Sequence, residues 1–369
     1  MAPGGGVVTG GAASTQSTGG GAAPGGAAGS TGAAVGQRSM ARFARVAFRD
    51  PAAGNVEAIV VLVPDGWQAA GAVQWLPDWS RLAFLQTRIA DPATGLAIEW
   101  LPIQDFIWFQ APAGFQAPIG GNYQGKAYVP PITDPLQFVA QHWMPGVLAH
   151  LQSAQVVSVV QVPAIADEFK RGFGGPAQAF AYRIRYAYVS GGQAWEEDVS
   201  FALLYSESPS ITSWYVNFAY AVRAPAGQID RSGGVISTAV ASRTSTPEWE
   251  ASFRLVQQLF RQGLQQQMAD TAAFGRMLTQ YRAESAALQA QVTQERQASQ
   301  DRIADLQREV LGGVQTYVDP VNRTLVQLPV GWNEYWVNQR GEYLASDQPG
   351  FNPNTLNDGS WLRLATRPG

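Results

Sequence analysis

The sequence predicts an α+β protein: an antiparallel-sheet domain, a long solvent-exposed α-helix and a small C-terminal β module. Three observations carry this. Between Phe180 and Val222, aromatic and aliphatic residues alternate with small or polar ones at period two, broken by Ser190-Gly191-Gly192-Gln193, which is the pattern of an antiparallel meander. From Pro247 to about Val310 the chain is polar, free of proline and helix-forming. Beyond Gly312-Gly313, short apolar runs again alternate with turn residues.

Residues 1–37 form the first segment. The first 36 hold 13 of the 39 glycines and no charged side chain. Such a stretch cannot bury enough apolar surface to offset its chain entropy, so a disordered tether is expected. The α+β domain is expected over 38–245. Val56 to Val63 is nearly continuous in apolar residues and follows the turn Asp50-Pro51-Ala52-Ala53-Gly54. Asp91-Pro92-Ala93-Thr94-Gly95 repeats that grammar before Leu96 to Leu101. Proline at the second turn position followed by glycine is good turn chemistry, so both sites read as hairpins. Val156 to Val162 reads as a further, buried strand. The meander follows, with Tyr182, Ile184, Tyr186 and Tyr188 on one parity, then Val199, Phe201, Leu203 and Tyr205, then Trp214 to Val222. Gly233 to Ser242 is expected to be a short helix covering that sheet.

The long helix is expected over 246–312. Thr246 suits the N-cap, Pro247 the first helical position, and Glu248 and Glu250 the positive end of the helix dipole. Phe253, Val256, Phe260 and Leu264 make an apolar stripe. A heptad frame through Phe253 and Phe260 places Gly263, Asp270 and Glu284 in the seam, which argues against a sustained coiled coil. The favoured arrangement is a helix anchored at both ends that spaces two modules. Self-association along its first half is the alternative. The β module, 313–369, is expected to contain hairpins at Asp319-Pro320-Val321-Asn322 and at Gln339-Arg340-Gly341.

Composition narrows the function. The net charge of −3 gives no basic face for nucleic acid. With no cysteine there is neither a disulfide nor a thiolate metal site. No run of about 18 apolar residues predicts a membrane span, and the first residues lack the features of a signal peptide. The two histidines, His142 and His150, are expected in structural or surface roles, and no metal or other cofactor is expected. Glu196-Glu197-Asp198 lies across a hairpin from Arg183 and Arg185, where cross-strand ion pairs account for it. Asp347, Asn352, Asn354, Asn357 and Asp358 concentrate oxygens in one loop, which Asx turns explain. No catalytic residue is assigned.

Two resemblances add expectations. Leu328-Pro329-Val330-Gly331-Trp332-Asn333-Glu334 with Gly341-Glu342-Tyr343 and Trp361 resembles the WW domain, a binder of proline-rich peptides. That resemblance implies Tyr343 and Trp361 as ligand-facing aromatics and Trp332 as a core residue. Pro64-Asp65-Gly66-Trp67 after an apolar strand, an antiparallel sheet and a closing helix resemble the PsbP-like α/β/α sandwich, whose members mostly bind rather than catalyse.

Six of the twelve tryptophans fall between Trp67 and Trp143. Trp75 and Trp79, flanking Pro77-Asp78, are the most loop-like and join Tyr343 and Trp361 as candidate partner-binding residues. The expected function is a non-catalytic interaction or scaffold protein of the bacterial cell envelope or exterior, binding a protein or peptide. The alternatives are a hydrolase-type enzyme drawing on Glu99, Asp105, Glu196, Glu197 and Asp198, and a WW-like binder of proline-rich peptides acting through the C-terminal module.

Overall fold

The β-rich reading extends further than the sequence suggested, and the reason lies in how many apolar runs find hydrogen-bonded neighbours. The computed structural model describes residues 40–75, 83–109, 118–123, 125–173, 177–261 and 313–366. Strand accounts for 51% of the described residues and helix for 22%, so the described part is mostly β, with several antiparallel sheets and short helices.

The first half supplies β1 (Met40–Asp50), β2 (Val56–Pro64), β3 (Gln68–Trp75), β4 (Ala83–Ala90), β5 (Ala97–Trp100), β6 (Gln104–Phe109), β7 (Asn122–Tyr123) and β8 (Lys126–Tyr128). The helical turns α1 (Pro135–Phe138) and α2 (Met144–Val147) flank a π-helical turn over Val139–Trp143. Next come β9 (Gln155–Gln161), α3 (Pro163–Phe173) and the meander β10 (Gln178–Ser190), β11 (Gln193–Glu207) and β12 (Ile211–Pro225). The chain continues through α4 (Gln228–Arg231), α5 (Gly233–Ser242), β13 (Thr244–Ser245) and α6 (Pro247–Arg261). After Gly313 follow β14 (Val314–Asp319), β15 (Thr324–Pro329), β16 (Glu334–Asn338), β17 (Tyr343–Ser346), β18 (Trp361–Arg363) and β19 (Ala365–Thr366).

The largest sheet has ten strands along the order β3-β4-β5-β12-β11-β10-β9, with β6 to β8 attached beside β12. Its centre is the meander read from the alternation: Ser190 pairs Gln193 at the turn, and Tyr182 pairs Phe201 further along. One face, carrying Ile184, Tyr186, Val199 and Phe201, packs on Phe138, Val139, Trp143, Met144 and Leu148 from the turns around α1 and α2. The opposite face, carrying Ile98, Trp100 and Val222, packs on α5 and on Val61 and Val63 of β2.

Two expectations are corrected and a third is met at its first end. The run Val156–Val162 was read as a buried strand, but every residue of β9 is exposed. The strand occupies the end of the sheet and, among the described residues, pairs only with β10. An apolar run marks a strand well and its place in the sheet poorly.

The second concerns the C-terminal module. Its strands do not close on themselves: β17 pairs β1 from Met40↔Ser346 to Phe43↔Tyr343, giving a six-stranded sheet ordered β13-β2-β1-β17-β16-β18. A segment of about 55 residues buries too little surface to stand alone. It borrows an edge from β1, and Phe43 and Leu62 share a core with Tyr335, Val337 and Tyr343. Strands on either side of the expected helical spacer are therefore hydrogen-bonded neighbours.

The third concerns the helix. It begins as expected, with the Trp249 amide donating to Thr246 Oγ1 at 3.3 Å. Trp249, Leu255 and Val256 then bury against Ala58 and Ile59 of β2. So this first part is docked, as a helix anchored at its ends requires, and its continuation from 262 to Val310 lies outside the described residues. Among the described residues no helix is long and apolar enough to cross a membrane.

His142 sits in the π-helical turn, 5.4 Å from the ring of Phe138. Its Nε2 is buried with no hydrogen-bond partner among the described residues. Burial pushes its pKa below the usual value, because a charged imidazole there would lose its water. The unfolded chain therefore takes up a proton near pH 6.5 that the folded chain refuses, and stability falls as the pH drops through and below about 6.5. His142→Phe is expected to flatten that acid-side decline. Urea denaturation between pH 5 and 7.5 checks this, and an unchanged slope would count against it.

Candidate functional site

The described aromatic candidates, Trp75, Tyr343 and Trp361, do not converge. Trp75 ends β3 half-buried, its indole N–H donating to Asp50 Oδ2 at 2.7 Å and its ring 6.0 Å from that of Trp249. It is a packing residue on α6 rather than a loop residue. Trp79 lies outside the described residues. Tyr343 and Trp361, expected to face a ligand, are only 5% and 3% exposed. The cause is the shared sheet: β17 runs between β1 and β16, so Tyr343 points into the core and donates to Asp319 Oδ2 at 2.6 Å. Trp361 donates to Asp358 Oδ1 at 2.9 Å beneath the Arg42 guanidinium. Trp332, expected in the core, packs half-buried on that same cluster.

The polar loop 347–359 spends its oxygens internally. Asn354 pairs both peptide groups of Trp361, at 2.7 and 3.2 Å, and Asn352 accepts from the Asn354 amide. Among the described residues no three acidic or histidine side chains gather as a metal site.

The carboxylates of β11 divide between the two faces of the sheet. Asp198 accepts both arms of Arg185, at 2.7 and 2.9 Å, and Arg185 also reaches Asp230 of α4 at 2.9 Å. Beside them, Glu196 accepts from the Ile229 amide at 3.0 Å. Hydrogen bonding to Asp198 and Asp230 raises the Arg185 pKa above its ordinary value, and the same contact lowers that of Asp230. This is the expected ion pairing in a tighter form.

Glu197 points the other way, into the apolar face, and is buried. Its Oε2 meets His150 Nε2 at 2.8 Å and accepts from the Tyr188 hydroxyl at 2.9 Å. In register with Glu197 on β12 is Arg223, whose guanidinium lies 4.1 Å over the ring of Trp195 and 5.8 Å over that of Tyr188. Trp195 in turn covers Gly95, where a Cβ would approach the indole to 3.1 Å. Burial, then the charge of Glu197, pushes the Tyr188 pKa well above its ordinary value, so the phenol stays a neutral donor. No family model matches the chain, and neither does any curated protein. The assignment therefore rests on this geometry.

His150, Tyr188, Trp195 and Arg223 form a fixed, partly exposed set around one buried carboxylate. His150 itself is half-exposed, while the Arg223 Nε is buried and lacks an acceptor among the described residues. Such a set can take an anionic or carbonyl-bearing group on the guanidinium and stack an apolar one on the rings. One residue of the site was within reach of the sequence. Extending the parity of Val199, Phe201 and Leu203 back by two places Glu197 on the apolar face, where a carboxylate needs partners. His150, 47 residues away, is supplied by the turn after α2 and had no local signal.

Proposed function

We propose that this chain is a non-catalytic interaction protein of the bacterial cell envelope, and that it binds a protein or peptide through His150, Tyr188, Trp195 and Arg223. The observation that carries this reading is the Arg223–Trp195 stack, on the strand position in register with the buried Glu197. Arginine, tryptophan and tyrosine at a partly exposed site are the residues in which binding energy concentrates. Glu197 lies across the sheet from Glu196 and Asp198, and those two are already engaged with Arg185, an arrangement that ion pairing explains without acid–base chemistry. The envelope placement rests on the Gly/Ala-rich composition of residues 1–36, suited to spacing a folded part from an attachment point.

A photo-crosslinking side chain at exposed Gln193, carried by the protein in its native cells, tests this. We expect one discrete adduct in the envelope fraction, lost with Trp195→Ala and with Arg223→Glu. No adduct, or one indifferent to both substitutions, would refute the proposal.

For the hydrolase alternative, the contact of most interest is His150–Glu197. That alternative requires ester or glycoside turnover that disappears in both His150→Ala and Glu197→Gln, and turnover surviving either change removes it.

A further inference from the structure

The exposed edge strand β9 reads Gln155-Val156-Val157-Ser158-Val159-Val160-Gln161. It is a palindrome about Ser158. All seven residues are exposed, and the four valines show between 44% and 56% of their surface. The strand ends the ten-stranded sheet, so one side of its backbone has no ladder partner among the described residues.

Edges of this kind are ordinarily guarded by charge, by proline or by extreme shortness. Here there is neither a charge nor a proline from Gln155 to Gln161. One guard is present: the pairing with β10 skips Val157, a bulge that adds twist. It bends the strand without covering it, since Val157 is itself the most exposed of the four valines.

From these observations we infer that β9 is a homodimerisation edge, pairing antiparallel with β9 of a second copy about a two-fold axis at Ser158. The palindrome selects this occupant. Antiparallel pairing centred on Ser158 sets Gln155 opposite Gln161, Val156 opposite Val160, Val157 opposite Val159 and Ser158 opposite itself. Each cross-strand pair then joins like with like: amide with amide, β-branched side chain with β-branched side chain. A neutral strand adds no like-charge repulsion across the axis. The closed two-fold also explains how such an edge stops at two copies, where a head-to-tail contact would propagate. Seven residues on each side make a seam well below the size of a standard specific interface, which makes the dimer concentration-dependent.

The full chain, which contains no cysteine, permits a register-sensitive test. Opposed residues in antiparallel strands have Cα atoms about 4.5–5.5 Å apart, within the range a disulfide spans. Ser158→Cys is therefore expected to give a covalent dimer under mild oxidation. Gln155→Cys alone and Gln161→Cys alone should give none, because identical positions then lie about 20 Å apart along the strand. Mixing those two single variants should restore the crosslink. In sedimentation, the unmodified chain should approach twice its monomer mass as concentration rises. Val157→Lys with Val159→Lys should hold it at monomer mass while leaving its circular dichroism unchanged. A chain monomeric at its highest soluble concentration would overturn the inference. So would a dimer that survives the lysine substitutions, as self-association along the 262–312 segment would, or oligomers that grow without limit.

Discussion

Asp50→Ala is expected to cost about 4 kcal/mol of folding free energy, a large share of the ~5–15 kcal/mol that holds a typical domain together. The carboxylate is fully buried and accepts four hydrogen bonds. Oδ1 takes the amides of Ala52 and Ala53, at 3.0 and 3.1 Å, closing the turn between β1 and β2. Oδ2 takes the indole N–H groups of Trp75 and Trp249, at 2.7 and 2.8 Å. One side chain thus ties a turn, the end of β3 and the first turn of α6 together. Alanine removes the acceptor these donors share, one of them on the buried ring of Trp249, at roughly 1–3 kcal/mol for each buried donor that loses its partner. Local relaxation and entry of water keep the total below the simple sum. Asp50→Asn retains an acceptor for one side only and should lose about half as much. Because Trp249 acts through the same carboxylate, Trp249→Phe combined with Asp50→Ala should fall short of additivity by more than about 0.5 kcal/mol. Chemical denaturation with near-ultraviolet circular dichroism of the tryptophans measures all three. A loss under 1 kcal/mol for Asp50→Ala would mean that the indoles are held by packing alone.

What the sequence made legible follows from the range of each interaction. Asp50, Asp91 and Asp319 each precede proline in a turn, and all three turns form where their composition placed them. The meander was equally readable, since alternation along β10, β11 and β12 is a local property whose register follows from the Gly191-Gly192 turn. So was α5, observed at Gly233–Ser242. The partners of the aspartates were not readable, because Trp249 is 199 residues from Asp50. The same holds for the shared sheet. Nothing local to Tyr343–Ser346 names β1 as its neighbour, although four consecutive uncharged residues, buried on both faces, are what an interior strand needs. The converse error, at β9, came from the same source. Four valines in seven residues read as interior when the strand is in fact the last in its sheet. At the candidate site parity reached Glu197, while His150 and Arg223 depended on which segments the fold brings to that face.

The three Asp-Pro turns also rank a second large effect, because they share a local design and differ in what else the carboxylate holds. Asp91 accepts from the Ala93 amide at 2.9 Å and from the Thr94 hydroxyl at 2.7 Å, all within its own exposed turn. Asp91→Ala should therefore cost about 1 kcal/mol, the ordinary value of a solvated hydrogen bond. Asp319 is fully buried. Its Oδ1 accepts from the amides of Val321 and Asn322, and its Oδ2 from the Asn322 side chain at 2.7 Å and the Tyr343 hydroxyl at 2.6 Å. Through Tyr343 it couples the β14–β15 turn to the strand that pairs with β1. Asp319→Ala is expected to cost about 3–4 kcal/mol, since it leaves a buried phenol and two turn amides unsatisfied. Tyr343→Phe should cost about 1–2 kcal/mol, because three donors remain on the carboxylate. The tyrosine carries a pH signature as well. Burial, and then the negative charge of Asp319, raises the Tyr343 pKa above its ordinary value. The unfolded chain releases that proton near pH 10 while the folded chain keeps it, so this contribution is complete below pH 10 and is lost as the pH rises beyond it. Stability curves from pH 8 to 11 should accordingly fall less steeply in Tyr343→Phe than in the unmodified chain. If Asp319→Ala proves no more costly than Asp91→Ala, the buried carboxylate is not what joins the C-terminal strands to β1.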